Sequence, residues 1–412
     1  MVKKLTQCRI CGNRKLTRFL PLGKIPLPNG FLKPVDLKKD EPKYPLNVGI
    51  CASCGLVQLM QIVNPEVMFR NYVYIPSTSK TRMNNFAQIA SSARERFTVD
   101  QNSLVIDIGS NDGSLLSYFK GYGIKVLGID PATNLAKIAE LKGIDTINDF
   151  VSVDLAKKIR RNQGPAKIIT ATNVVAHIND LHDLFRAVEV MLANDGVFIC
   201  EFPYLRDLIE NNQFDTIYHE HLSYFSIKPL QVLITQVGLE FLDIERTPID
   251  GGSLRVYLRK KQKISPDIPK IKNLIKEEEE IGLYNPQTLH AFASRVRKLR
   301  TKLRAKLKSI KSRNKTIAAY GAAAKGNILL NYCKIGTSLI DFAVDSTPYK
   351  QGLYMPGSHI RIFPEAEIMK RMPDYTLVLA WNFAKEIIDK EKKYVVRGGK
   401  FIIPVPEVTI TE

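Results

Sequence analysis

Long apolar runs are missing from this 412-residue chain: none approaches the roughly 18 residues needed to cross a bilayer, so no membrane-spanning helix is expected. Met1-Val2-Lys3-Lys4 has the cations of a signal peptide without the apolar stretch that should follow, and a cytoplasmic protein is the expectation. Acidic residues are absent between Ile281 and Ile340, where 13 Lys or Arg residues stand. The remainder carries 47 cations against 41 anions, so the formal charge of +19 belongs to one segment. Such a segment serves an anionic small molecule, a nucleic acid or a membrane surface, or is a solvated helix face. Composition leaves these open. Apolar (45%) and charged (25%) contents are ordinary, and the length suits two or three domains.

Cysteine and histidine are scarce, six of each, and both are concentrated. Four cysteines form two pairs, Cys8-Arg9-Ile10-Cys11 and Cys51-Ala52-Ser53-Cys54, each followed by a glycine (Gly12, Gly55) that frees the knuckle backbone. Each pair can present two thiolates to one tetrahedral ion, and a reducing cytoplasm disfavours disulfides. The expectation is structural zinc. With sulfur at all four positions, no place remains for a catalytic water. Cys200 and Cys333 sit among apolar residues and read as core.

From about Gln101 the pattern alternates strands and helices. Strands are predicted at Leu104 to Gly109, entering a glycine turn, at Lys125 to Asp130, and at Ile168 to Thr172, Val197 to Glu201, Leu239 to Glu245 and Leu254 to Lys260. That pattern implies a doubly wound α/β sheet. A linker is expected from Ile264-Ser265-Pro266, leading into a long helix. In it Leu289, Phe292, Val296, Leu299, Leu303, Leu307 and Ile310 recur at intervals of three and four, one apolar stripe with cations opposite. A second α/β unit follows: a strand to Tyr320, the turn Gly321-Ala322-Ala323-Ala324-Lys325-Gly326, a helix from about Asn327, and three further short strands.

The turn Asp107-Ile108-Gly109-Ser110-Asn111-Asp112-Gly113 closes the first strand, where glycines let backbone approach a ligand. Asp130 ends the next strand, 17 residues beyond Gly113, placed to accept hydrogen bonds from ribose hydroxyls. A nicotinamide enzyme shares this layout, but its Gly-x-Gly-x-x-Gly fingerprint is absent. The acidic residue before the first glycine points instead to S-adenosylmethionine. Asn173, at the end of the Ile168 to Thr172 strand, faces the same cleft, and Asp107 either meets the ligand or braces the loop.

Four of the six histidines (His177, His182, His219, His221) fall within 45 residues, two of them in Tyr218-His219-Glu220-His221. Imidazole can take and return a proton near neutral pH. A methyl donor beside such bases suggests methylation of an atom that must first lose a proton. His182 reads as structural. Two histidines and a carboxylate could alternatively hold a metal.

Taken in order, the Cys-x-x-Cys pairs, Tyr72-Val73-Tyr74 with Ser77-Thr78-Ser79, the Asp107–Gly113 loop, Asn173 with His177, Tyr218–His221, Asp250-Gly251-Gly252-Ser253 and Tyr320–Gly326 resemble the sugar-nucleotide C-methyltransferases. The similarity runs over essentially the whole chain. It implies three parts: a small zinc-binding N-terminal domain, a central class I (Rossmann-like) methyltransferase domain, and a C-terminal Rossmann-like α/β domain that helps hold a nucleotide sugar. The boundaries expected are 1–70, 71–263, 264–314 for the linker with its basic helix, and 315–412. The resemblance further implies a nucleoside-diphosphate 4-keto-6-deoxysugar, methylated at the carbon beside the ketone. His221 then matches the general base. Tyr72, His177 and Tyr218 match residues close to the keto and hydroxyl groups, Glu220 orients a neighbour, and Tyr74 and Ser77 belong to the substrate site.

Backbone amides at the Gly321–Gly326 turn, with Lys325 adding charge, suit the diphosphate; close packing by Ala322–Ala324 is the plainer explanation. Asp345 and Trp381-Asn382-Phe383 are candidates for the nucleoside. An RNA methyltransferase using the zinc knuckle and basic helix is the second reading, but no aromatic interrupts residues 293–315 for base stacking. A scaffold associating through the 289–310 stripe is the third. The primary reading expects no nucleic acid or membrane partner, and a monomer or weak homo-oligomer.

Overall fold

The computed structural model describes residues 2–264 and 267–411. Ser265 and Pro266, at the expected start of the linker, lie outside the described residues. A seven-stranded sheet forms the centre. Its strands, numbered within that sheet, are β1 (Leu104–Ile108), β2 (Lys125–Ile129), β3 (Thr146–Ile147), β4 (Ala166–Thr172), β5 (Leu192–Pro203), β6 (Leu239–Thr247) and β7 (Ser253–Lys260). Across the sheet they run β6-β7-β5-β4-β1-β2-β3. Only β7 runs against its neighbours.

The first strand shows why the sheet is parallel here. Every residue of β1 is buried, so Leu-Val-Ile-Asp-Ile needs cover on both faces, which helices supply. Val105 lies in register with Val126 on one side and Ile168 on the other. The helix Lys80–Arg96, capped by the Ser79 hydroxyl, covers one face with Phe86, Ile89, Ala90 and Ala93. A buried network fixes it: Arg255 of β7 pairs with Glu201 of β5 at 2.8 Å, and Asn85 of the helix donates to the same carboxylate at 2.7 Å. The chain leaves β1 toward β2 and β3, then returns to β4 on the opposite side. Ligands bind at such a switch point, beyond the carboxyl ends of the strands.

The N-terminal sheet joins Leu16–Ile25, Tyr44–Cys51 and Val57–Leu59, and it borrows its edge from Ser223–Tyr224, just after the histidine stretch. A six-stranded C-terminal sheet centres on Ile317–Tyr320. Its strands are parallel except the last, Thr409–Ile410.

The helix Pro286–Lys311 starts with Asn285 capping Gln287 and Pro286 at its first position. Its stripe, Leu289 to Ile310, is buried in one continuous core with Leu20 and Val48 of the N-terminal sheet and Ile328 and Leu377 of the C-terminal unit. The long helix therefore welds its neighbours together. Part of the cationic excess is structural: Arg295 donates to the Ile209 carbonyl at 2.6 Å and Arg304 to the Cys333 carbonyl at 2.6 Å. No helix among the described residues is long and apolar enough to cross a membrane.

Candidate active site

The turn after β1 is shaped by sterics. Gly109 has φ +70°, and a Cβ there would lie 2.2 Å from Val174. Asn111 continues the left-handed turn, and its backbone N–H donates to Asp130 Oδ2 at 2.8 Å. Asp130 Oδ1 accepts from the Ala132 N–H at 2.8 Å, so β2's terminal carboxylate ties both loops together while facing the cavity. Asp107 is almost fully buried and accepts from the Thr170 hydroxyl at 2.6 Å; burial pushes its carboxyl up to about 7. Gly113 does not reach the cavity. It caps the helix Ser114–Gly121 at φ +73°, and a Cβ there would press on Ile144 at 3.0 Å.

A cavity of about 500 Å³ extends from this turn to the histidines and on to the C-terminal unit. Asp107, Gly109, Asn111, Asp130, Asn173, Tyr72, Tyr74, His177, Tyr218, His221 and Lys325 all line it. The histidine stretch leaves the short turn Phe214–Thr216 and returns toward the N-terminal sheet. His221 Nδ1 lies 2.8 Å from the Thr216 carbonyl, which can only accept. That contact places the ring proton on Nδ1 and leaves Nε2 a bare acceptor, without a hydrogen-bond partner among the described residues. The Tyr218 ring lies 4.0 Å from the imidazole and the His177 ring 5.0 Å, with Phe69 stacked on His177. Burial lowers His221 well below its ordinary value and His177 to about 4, so both rings are neutral.

Glu220 sits behind the cavity wall. It accepts from the Tyr72 hydroxyl at 2.8 Å and from Asn29 of the N-terminal unit at 2.7 Å. Burial pushes this carboxyl up to about 7. It holds the Tyr72 hydroxyl and is not part of the cavity wall. His219 turns away and places Nε2 3.2 Å from the Tyr44 carbonyl. The alternative of a metal held by His219, Glu220 and His221 therefore falls, since only the four cysteines form a metal-holding group among the described residues. His182 meets the Ile10 carbonyl at 2.7 Å, a structural contact to the knuckle.

Ser77 is exposed and outside the cavity wall, where Thr78 takes its place. Gly321 also lies outside; φ +90° and a would-be Cβ contact of 3.0 Å with Ala380 explain the glycine. Lys325 donates to the Asp250 carbonyl at 3.0 Å, with its ammonium 5.0 Å from the Trp381 ring. Asp345 accepts from Ala322 and Thr347 amides and closes its own loop.

Sequence reasoning missed Asn29, Arg82 and Lys350 in the cavity wall. Arg82 grips Asp250 with both carboxylate oxygens at 2.7 and 2.8 Å, and Asn173 donates to the same group at 3.0 Å. The Asp-Gly-Gly turn was the available signal, since Asp250 itself has φ +58°.

The cysteines form a separate site. Sγ atoms of Cys8 and Cys54, and of Cys11 and Cys51, are each 3.5 Å apart, and all four lie within 4.8 Å. A tetrahedron with Zn–S bonds of about 2.3 Å has edges near 3.8 Å, so the sulfur cage fits zinc. All four thiols are free. Between them Arg9 donates to the carbonyls of Leu59 at 2.9 Å and Leu222 at 3.1 Å, anchoring the knuckle to the residue after His221.

Strand order, glycine turn and terminal carboxylate together define a class I S-adenosylmethionine-dependent methyltransferase. Family models agree along the chain: a zinc binding domain over residues 8–69, a methyltransferase domain over 83–244, and a C-methyltransferase C-terminal domain over 248–406. The C-methyltransferase NovU of Streptomyces niveus is 36% identical over 407 residues, covering 99% of this chain and 97% of that protein. The chain belongs to this family of C-methyltransferases. Solved structures are more distant. An S-adenosylmethionine-dependent methyltransferase from Clostridium acetobutylicum ATCC 824 shares 13% identity over 44% of this chain and 92% of its own, with a TM-score of 0.36. PH0226 protein from Pyrococcus horikoshii OT3 shares 14% over 48% and 97%, also with a TM-score of 0.36. At that distance the likeness bears on neither substrate nor mechanism.

Proposed function

We propose that this C-methyltransferase methylates a nucleoside-diphosphate 4-keto-6-deoxysugar at the carbon beside the ketone, with His221 as general base. One observation carries the reading: His221 lines the cavity shared with the donor turn and Lys325, with Nδ1 spent on the Thr216 carbonyl and Nε2 without a hydrogen-bond partner among the described residues. In this reading the domains fall at 1–70, 71–263, 264–314 and 315–412.

Nε2 takes the proton from the carbon, and the electron pair passes onto the ketone oxygen as an enolate. The phenol of Tyr218, held protonated by burial, is the donor for that oxygen, while Tyr72, whose O–H is given to Glu220, lines the wall close to it. His177 Nε2, buried without a partner among the described residues, faces the same need for a polar contact. Asp107, Asn111, Asp130 and Asn173 hold S-adenosylmethionine, which supplies the electrophilic methyl group for the nucleophilic carbon. Tyr74, Lys325 and Lys350 line the remainder of the cavity, where an anionic nucleotide sugar fits.

The test uses His221→Ala with a panel of nucleotide 4-ketohexoses, read by mass spectrometry and by deuterium uptake from solvent beside the ketone. Turnover and exchange should both fall about 10²- to 10⁴-fold with donor affinity kept. Near-normal exchange would remove His221 from the role.

A further inference from the structure

The carbonyl that fixes His221 belongs to a turn gripped by the C-terminal unit. The turn Phe214–Thr216 is fully buried, and Asp215 at its centre has no solvent exposure. Asp215 Oδ2 accepts the indole N–H of Trp381 at 2.6 Å. Its Oδ1 and the Thr216 hydroxyl are buried without hydrogen-bond partners among the described residues. Beside it the Phe214 ring packs at 5.3 Å on Tyr332, in the helix Ala324–Cys333. Trp381 lies against Gly251, where a Cβ would come within 3.1 Å of the indole, and the Lys325 ammonium lies 5.0 Å from its ring. Its neighbours Asn382 and Phe383 line the cavity.

A buried carboxylate with one oxygen unbonded is an expensive way to hold two units together, since that oxygen has given up water without gaining a partner. An apolar contact would anchor them at less cost. What distinguishes Asp215 is its place: one residue on, the Thr216 carbonyl sets the tautomer of His221.

We propose that Trp381 and Asp215 are positioning residues for His221: the indole N–H, delivered by the C-terminal domain, holds the Phe214–Thr216 turn so that Nε2 faces the substrate carbon. The inference rests on His221 being the base. It makes proton abstraction depend on how the C-terminal domain is seated, so that the domain does more than bind. The residues flanking Trp381 line the cavity, so a bound sugar nucleotide steadies the same contact.

The experiment uses the full-length, zinc-loaded protein with thymidine-diphosphate 4-keto-6-deoxyglucose in D₂O, with and without S-adenosylmethionine. Trp381→Phe keeps a ring but removes the donor. Exchange beside the ketone and kcat should each fall about 10- to 100-fold, the scale of a 1 Å misplacement, while KM stays within about threefold. Affinity for S-adenosylmethionine should not change. Asp215→Asn keeps an acceptor for the indole and should hold kcat within about threefold of the parent, whereas Asp215→Ala should match Trp381→Phe. Wild-type exchange in Trp381→Phe, or a loss through KM alone, would overturn the proposal. If Asp215→Ala does not fold, Trp381→Phe still decides. Normal exchange in His221→Ala would instead remove the base assignment beneath it. A silent His221→Ala with an unaffected Trp381→Phe would sink only the coupling.

Discussion

Two clusters of ligand-type side chains lie on either side of Arg9, and they are built in opposite ways. The cysteine cage turns all four sulfurs inward, within 4.8 Å of one another, so each donor satisfies the others' ion. The histidine site does the reverse. His221 lines the cavity, spends one nitrogen on a carbonyl and leaves the second unbonded among the described residues, with neutral rings and phenols around it. A closed donor set holds a fold together, whereas a half-satisfied one can do chemistry.

The comparison can be broken from the active side first. His221→Ala carries the largest expected effect, the 10²- to 10⁴-fold loss already given, without loss of zinc. Opening the cage should do the opposite kind of damage. Cys51→Ser is expected to release metal to a chromogenic chelator and lower the melting temperature by about 10 °C, at roughly 2–4 °C per kcal/mol for a large domain. Because Arg9 of the knuckle donates to Leu222, turnover should fall with it. A variant that keeps full activity after losing its zinc would break that tie.

A smaller effect tests the support behind the wall. Glu220→Gln exchanges the carboxyl behind the Tyr72 hydroxyl for a neutral amide, and above pH 7, where that carboxyl is ionised, kcat should drop about tenfold, the worth of one charge-assisted hydrogen bond, with KM little changed. The mildest test is pH. Burial lowers His221 below its ordinary 6.5, so the base stays neutral and competent as pH falls through that value. In Glu220→Gln, which lacks the carboxyl that burial pushes up to about 7, kcat/KM should therefore show no loss from His221 as pH falls through 6.5. An acid limb at or above pH 6.5 would mean that another group, or a solvated imidazole, controls the rate.

Much of the architecture was legible because burial leaves a period in the sequence. The strands β1, β2, β4, β5, β6 and β7 and the stripe Leu289–Ile310 stand where alternation and three-four spacing put them, to within a few residues. Of the candidate site, Asp130, Asn173, His177, Tyr218 and His221 converge on one cavity. Gly113, Gly321, Ser77 and Glu220 do not. The two glycines answer to packing, which in sequence looks the same as close approach to a ligand. Glu220 is adjacent to His221 in the chain, yet successive side chains diverge, so it serves the Tyr72 hydroxyl from behind. Asn29, Arg82 and Lys350 carried no local signal, and Trp381 was read only as a candidate nucleoside contact. Asn29 meets Glu220, Arg82 meets Asp250 and Trp381 meets Asp215 across long stretches of chain, and only the folded backbone brings them together.

By itself the sequence determined the elements, the paired-cysteine cage and the membership of a methyltransferase turn, because those depend on spacings of a few residues. Tertiary structure alone decided which histidines face the cavity, which nitrogen of His221 is spent on a carbonyl, and that the N- and C-terminal units both supply its walls. Those outcomes depend on where distant segments pack, and a ring's proton goes wherever the nearest buried carbonyl happens to lie.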